Sequence, residues 1–269
     1  MYSFNIVITE SCNANCSHCY MNAAAGRKRT FSKTQIDELT QKLPDSTKSV
    51  VLTGGEVYLC KDLLFYTIDK LREKFPDIII GVESNGKYFY ENESSIKGEL
   101  KLLEEHGLNF IRFSDDVFHA DGGIDLEKVR AIKDYGEGLD LEIKYLVQED
   151  ALPIGKAEKL EEKYQGKREC MNSHKSYENP YLFIDIEGNI YSCAWKCIPP
   201  IGNIFNEDFI NIEKKLYSGI QKDLLIGNID KLISENSECQ KIKEKRGTCM
   251  ACHELFKDQK GLSNDSPFR

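Results

Sequence analysis

The chain has no apolar run approaching about 18 residues, so nothing in it reads as a membrane-spanning helix. Its first residues, Met1-Tyr2-Ser3-Phe4-Asn5, carry neither a basic stretch nor a long apolar one. No secretory signal is read there, and a cytoplasmic location is expected. Internal repeats and low-complexity linkers are missing too. No face is obviously basic: the formal net charge is −8, and lysines are scattered through acidic stretches such as 156–167 and 241–246. That pattern is one of solvated surface, so neither a nucleic-acid backbone nor a membrane is expected as partner. The remaining composition, 41% hydrophobic and 30% charged over 269 residues, is that of an ordinary globular protein able to bury a full core.

Cysteine, by contrast, is abundant, with ten residues. Without an export signal, this usage indicates metal binding or catalysis more than disulfides. Three of them, Cys12, Cys16 and Cys19, lie in one short stretch as C-x3-C-x2-C, directly after the β-branched run Phe4, Ile6, Val7, Ile8, Thr9. Three thiolates on one loop can hold three irons of a [4Fe–4S] cube and leave the fourth open for chemistry. A zinc site needs a fourth ligand nearby, which His18 offers only with awkward geometry.

Strand-like and helix-like segments then alternate. Strands are expected at 4–9, 49–53, 78–82, 108–113 and 139–147. Helices are expected at 31–43 (Ser32 as N-cap), 62–75, 95–106 (closed by Gly107) and 126–135. Such alternation implies parallel strands with helical crossovers, and sites built at the C-terminal strand ends. An open doubly wound sheet shares this early pattern. The polar segments Gly54-Gly55-Glu56, Ser84-Asn85-Gly86 and Ser114-Asp115-Asp116-Val117-Phe118-His119 all fall there. Glu56 can accept hydrogen bonds from an ammonium group, and paired carboxylates with an imidazole suit proton transfer. Turns and caps are the plainer reading of each. Cys60, close behind, reads as a small buried residue, with hydrogen donation to a radical as the other reading.

Beyond about residue 153 the pattern changes. We expect a charged helix at 157–165, a hairpin over 181–186 and 189–192, and a helix at 210–225. Cys170, Cys193, Cys197, Cys239, Cys249 and Cys252 follow the boundary, and Cys249-x2-Cys252 is a tight metal-ligand pair.

The C-x3-C-x2-C loop, followed in order by Gly-Gly-Glu, Ser-Asn-Gly and the Ser114 segment, resembles the radical S-adenosylmethionine (SAM) superfamily. The resemblance implies an α/β fold: a partial, trimmed TIM-type β/α barrel over 1–155 with a small C-terminal iron–sulfur auxiliary region over 156–269. It implies that Cys12, Cys16 and Cys19 hold a [4Fe–4S] cluster. SAM would be contacted by His18, Gly54, Gly55, Glu56, Ser84, Asn85 and Ser114, with its methionyl amine at the Gly-Gly-Glu turn. Asp116 and His119 are the substrate-side candidates. The C-terminal cysteines resemble the single-cluster "twitch" variant of the SPASM extension, which implies Cys170, Cys193, Cys249 and Cys252 as ligands of a second [4Fe–4S] cluster. Cys197 and Cys239 are alternates, and structural zinc is the other reading. By the same resemblance the chain cleaves SAM to a 5′-deoxyadenosyl radical that abstracts hydrogen from substrate, with electrons from a flavodoxin- or ferredoxin-type donor. The substrate expected first is a ribosomally made peptide to be epimerised, cross-linked or oxidised, with Cys197 as a candidate hydrogen donor. The alternative is dehydrogenation of a small-molecule alcohol.

Overall fold

The computed structural model describes residues 1–167, 178–226 and 228–257. The chain runs β1 (Tyr2–Thr9), α1 (Lys33–Lys42), β2 (Thr47–Gly54), α2 (Lys61–Lys74), β3 (Ile79–Ser84), α3 (Lys87–Glu91), α4 (Ile96–Glu105), β4 (Phe110–Ser114), α5 (Val117–Asp121), α6 (Leu126–Ala131) and β5 (Glu142–Leu146). It continues through β6 (Tyr181–Ile184), β7 (Asn189–Tyr191), β8 (Gly202–Asn203), α7 (Phe209–Leu216), α8 (Gly219–Leu225), α9 (Ile229–Ser234), α10 (Ser237–Arg246) and α11 (Thr248–Leu255).

β1 to β5 lie side by side in chain order and all parallel, as crossover helices require. Helix faces follow the apolar spacing. α4 buries Ile96, Leu100 and Leu103, and α2 buries Leu64, Ile68 and Leu71. α1 starts on a reciprocal cap between Ser32 and Gln35. Gly107, at φ +82°, ends the α4 segment in the left-handed conformation that glycine tolerates.

The arc is open: among the described residues β5 pairs only with β4, and the next strand joins the opposite edge. β6 runs parallel to β1, matching Ser3 to Tyr181 and Ile6 to Ile184, and β7 and β8 extend the sheet antiparallel. The eight-stranded order is β5-β4-β3-β2-β1-β6-β7-β8. The expected division near residue 155 falls between β5 and β6, and the sheet runs through both sides of it. Beside the sheet's core, a second apolar cluster gathers Leu152, Ile154, Cys197, Leu224, Ile229, Ile233, Cys249, Cys252 and Phe256.

Two expectations are corrected. Residues 157–165 form short 3-10 turns at Gly155–Lys159 and Glu162–Tyr164, with only Ala157 of the first turn buried. One small apolar residue per turn gives an α-helix no stripe to bury. The single helix at 210–225 is two, α7 and α8, broken where Gly219 takes φ +51°. No helix among the described residues is long and apolar enough to cross a membrane.

Candidate active site

The cysteine loop leaves β1 at Thr9 and is fastened on all sides. Arg29 grips Glu10 with two bonds of 2.8 Å. Lys156 donates from its Nζ to Asn15 (2.9 Å) and the Ala23 carbonyl (3.1 Å), and from its backbone to the Cys19 carbonyl (3.1 Å). From β2, the Gly55 and Glu56 amides donate to the Thr9 and Ser11 carbonyls at 2.8 Å each. That approach needs glycine. A Cβ on Gly54 would sit 2.4 Å from the Thr9 carbonyl oxygen, and one on Gly55 would sit 2.1 Å from that of Ser11. Gly122 serves the other flank, where a Cβ would stand 2.9 Å from Cys16 Sγ.

Cys12 and Cys16 are buried, and burial pushes their thiols up to about 11 and about 12, each further raised by the neighbouring loop cysteines. Beside them opens a cavity of about 160 Å³ at the C-terminal ends of β1 to β5. Its walls include Cys12, Cys16, His18, Cys19, Gly54, Gly55, Ser84, Asn85, Ser114 and His119. Motifs separated by a hundred residues thus meet around one space.

Some members sit differently from expectation. Glu56 is fully buried and turned away from the cavity, as the cap of the turn after β2. It accepts from the Tyr58 amide (3.1 Å), the Ser84 hydroxyl (2.9 Å) and the Asn85 amide (2.7 Å). Burial raises its carboxyl while those three bonds oppose the rise. Its place is therefore to lock the end of β2 to the end of β3, and the glycines alone of that turn face the cavity. Asn85 is likewise engaged, donating 2.8 Å to Asn13 and accepting 2.9 Å from the Lys87 amide.

His18 stacks on Phe118 with ring centres 4.7 Å apart and meets His119 edge-on at 4.9 Å. Burial, then the neighbouring His119, lowers its imidazole to about 4, so the ring is neutral. Asp116 caps α5 and takes both the backbone amide (3.0 Å) and Nδ1 (2.9 Å) of His119. Burial alone would raise the Asp116 carboxyl, but the His119 bond and charge overrule it and hold it below the usual range. Asp115 belongs instead to a two-pronged pair with Arg130, both contacts at 2.8 Å.

A second group of thiols forms where the turn after β7 packs against α11. Cys197 is fully buried and lies against Cys193, with Cys249 and Cys252 near enough to push its thiol further up. Cys170 lies outside the described residues. Cys239 is buried on α10, with Glu254, Glu238 and Lys257 as its charged neighbours. The Cys193–Cys197 turn is held by Lys196, at φ +51°, whose Nζ makes a buried ion pair of 3.1 Å with Asp185. Cys60 donates 3.3 Å to the Val57 carbonyl and does not line the cavity.

Residues 6–135 match the model of the radical SAM superfamily. Over those residues the chain carries a radical SAM domain. It is accordingly an enzyme of a family that uses a [4Fe–4S] cluster and SAM, and the donor set fits: three thiols on one loop, two of them buried, a glycine cradle against them and a cavity alongside. Solved structures share the fold. BtrN in complex with AdoMet and 2-DOIA superposes with a TM-score of 0.56 at 18% identity, over 85% of this chain and 89% of that one. Native anSMEcpe with bound AdoMet and Cp18Cys peptide superposes with a TM-score of 0.59 at 13% identity, over 95% of this chain and 96% of that one. No curated protein matches the chain in sequence.

Sequence reasoning passed over several walls of the cavity: Tyr20, Met21, Thr53, Glu83, Leu146, Gln148, Ala151, Leu152 and Trp195. Tyr20 and Trp195 touch edge-to-face at 5.2 Å, bringing the C-terminal turn to the cysteine loop. A local signal existed for Tyr20, next to Cys19. None existed for Trp195, which reaches the cavity only through the pairing of β6 with β1.

Proposed function

We propose that this enzyme oxidises a hydroxylated small molecule, using SAM held beside Cys12, Cys16 and Cys19 and a second cluster held by Cys193, Cys197, Cys249 and Cys252. The observation that carries the reading is the position of Cys197. It is packed among three other cysteines, and among the described residues the cavity shows no thiol besides the loop three. Epimerisation needs a thiol to return hydrogen, whereas an oxidation needs a place for a second electron. Four clustered thiols supply that place.

When bound, SAM and its cluster supply a 5′-deoxyadenosyl radical, and the second cluster accepts one electron. The chain's part is placement and proton handling. Gly54 and Gly55 present backbone to the cavity where the methionyl group would be held, and Ser84 and Ser114 offer hydroxyls along the rim. His18 and Phe118 give a flat, uncharged wall. Asp116 fixes Nδ1 of His119, leaving Nε2 as the acceptor for a substrate hydroxyl proton. In the balance, the substrate C–H hydrogen would go to 5′-deoxyadenosine, one electron would go to a cluster held by Cys193, Cys197, Cys249 and Cys252, and the hydroxyl proton would go to His119, leaving a carbonyl. A flavodoxin- or ferredoxin-type donor provides the initiating electron.

A peptide substrate is the second reading. It is favoured by the outer edge of β5, which among the described residues pairs with no strand and leaves the arc open at the side.

The test is anaerobic reconstitution followed by assay with SAM, a reductant and deuterated candidate alcohols and peptides. Deuterium appearing in 5′-deoxyadenosine together with a carbonyl product supports the reading. A product of unchanged oxidation state sinks it. Loaded protein should carry about eight irons per chain, and Cys197→Ala about four. Unchanged iron in that variant removes Cys197 from the ligand set.

A further inference from the structure

At one level of the sheet, the inward positions of β2 to β5 are polar and charged where a barrel interior ordinarily places branched apolar residues. Register sets Glu83 beside Arg112, and Arg112 beside Lys144. The Thr53 hydroxyl donates 2.8 Å to Glu83 Oε2, and Arg112 Nη2 donates 2.5 Å to Glu83 Oε1. Arg112 in turn lies over the Phe110 ring, 5.9 Å from its centre. Of the charged members of this row, Glu83 is the one in the cavity wall, alongside Gly54, Ser84 and Ser114.

A partly buried carboxylate carries a desolvation cost, so its retention on a cavity floor calls for a reason. Two of its four acceptor positions are taken, by Thr53 beside it in the wall and by Arg112 outside the wall, and the others are left for whatever fills the cavity. Two fixed bonds also hold the group in one orientation, which is how a recognition site is preorganised. Tyr20 and Tyr181 complete the surroundings, and their phenols are pushed up first by burial and then by this same carboxylate.

We infer that Glu83, braced by Thr53 and Arg112, is the substrate-recognition group of the cavity floor, selecting molecules that present hydroxyl or amino hydrogen-bond donors. A carboxylate only accepts, so a substrate anion is rejected there and an amino alcohol or polyol is welcomed. This rests on the reading that the cavity takes a hydroxylated substrate.

The test uses cluster-loaded protein with S-adenosylhomocysteine bound, so that nothing turns over. Anaerobic calorimetry then measures scyllo-inosamine, scyllo-inositol and cyclohexanecarboxylate. The two donor-bearing rings should bind and the carboxylate should not. Glu83→Gln, nearly isosteric, should weaken donor binding about tenfold, the worth of a hydrogen bond to a charged group. Thr53→Val, which keeps the charge but frees one side of it, should weaken binding about threefold. Iron content serves as the check that both variants fold. Equal affinity in Glu83→Gln overturns the inference, as does tighter binding of the carboxylate. A loss confined to S-adenosylhomocysteine affinity overturns it as well, by assigning Glu83 to the cofactor. If the wild type cleaves SAM yet binds neither donor ring, this inference falls while the radical chemistry stands. If it does not cleave SAM, the parent reading falls first.

Discussion

At the scale of single residues, the chain's most local signals were the most legible. Cys12, Cys16 and Cys19 declare themselves by spacing alone, because all three ligands come from one loop. Glu56 shows the limit of such reading: sequence places it at the right turn but cannot say which way its carboxylate points. It points inward, and removing it strands three donors at a fully buried site. Glu56→Ala should therefore lower stability by about 3 kcal/mol, roughly 6–12 °C in Tm by calorimetry on cluster-loaded protein. A shift within about 1 °C would mean that water or a neighbour replaces the acceptor. Gly55→Ala tests the neighbouring position by sterics. Its Cβ would fall 2.1 Å from a backbone oxygen of the cysteine loop. Since backbone cannot rotate aside as a side chain does, the loop itself must move, and iron content should fall well below that of the wild type. Full iron loading with unaltered absorbance would show that the close approach is dispensable.

Elements tell a different story, because what they contribute depends on which neighbours they find. The strands and the three long crossover helices were legible from periodicity and caps, since each buries one face against the same sheet. The segment 155–164 was not. It has helix-forming residues but fulfils another need: Gly155, at φ +65°, and Lys156 close over the cysteine loop, and that geometry excludes a regular helix. The β6–β7 hairpin was legible from Glu187-Gly188, yet its connection to the second thiol group was not. That connection runs through Asp185, which holds the hairpin turn by accepting from the Glu187 and Asn189 amides at 3.0 Å each and also holds Lys196. With both side chains of the ion pair largely buried, Asp185→Ala should cost about 3–5 kcal/mol and loosen the Cys193–Cys197 turn. The measurement is iron retention during dialysis against a chelator. The variant should lose the second cluster's share first, and retention equal to the wild type would separate the hairpin from the thiol group.

For the whole molecule, the informative feature is that one sheet carries both cysteine groups. Sequence marks a change of style near residue 155 because the alternation of β and α stops there. It carries no sign that β6 returns to lie against β1, since a parallel pairing across some 180 residues leaves no local pattern. The consequence is physical. β1 is the central strand of an eight-stranded sheet, with β2 on one side and β6 on the other, and it also launches the cysteine loop. A fragment ending at residue 155 would expose the β1 edge from Ser3 to Ile6 as unpaired donors and acceptors, with the apolar faces of Phe4 and Ile6 beside them. Uncovered edges of that kind pair with other chains. The fragment should accordingly elute in larger assemblies than the full chain, or precipitate, and it should take up cluster poorly because the strand that anchors the loop has lost one neighbour. Size-exclusion chromatography with an iron assay on the peak decides it. A monomeric fragment holding about four irons would mean that the first 155 residues fold and load on their own, and that the second thiol group was added to a finished scaffold instead of being built into its central strand.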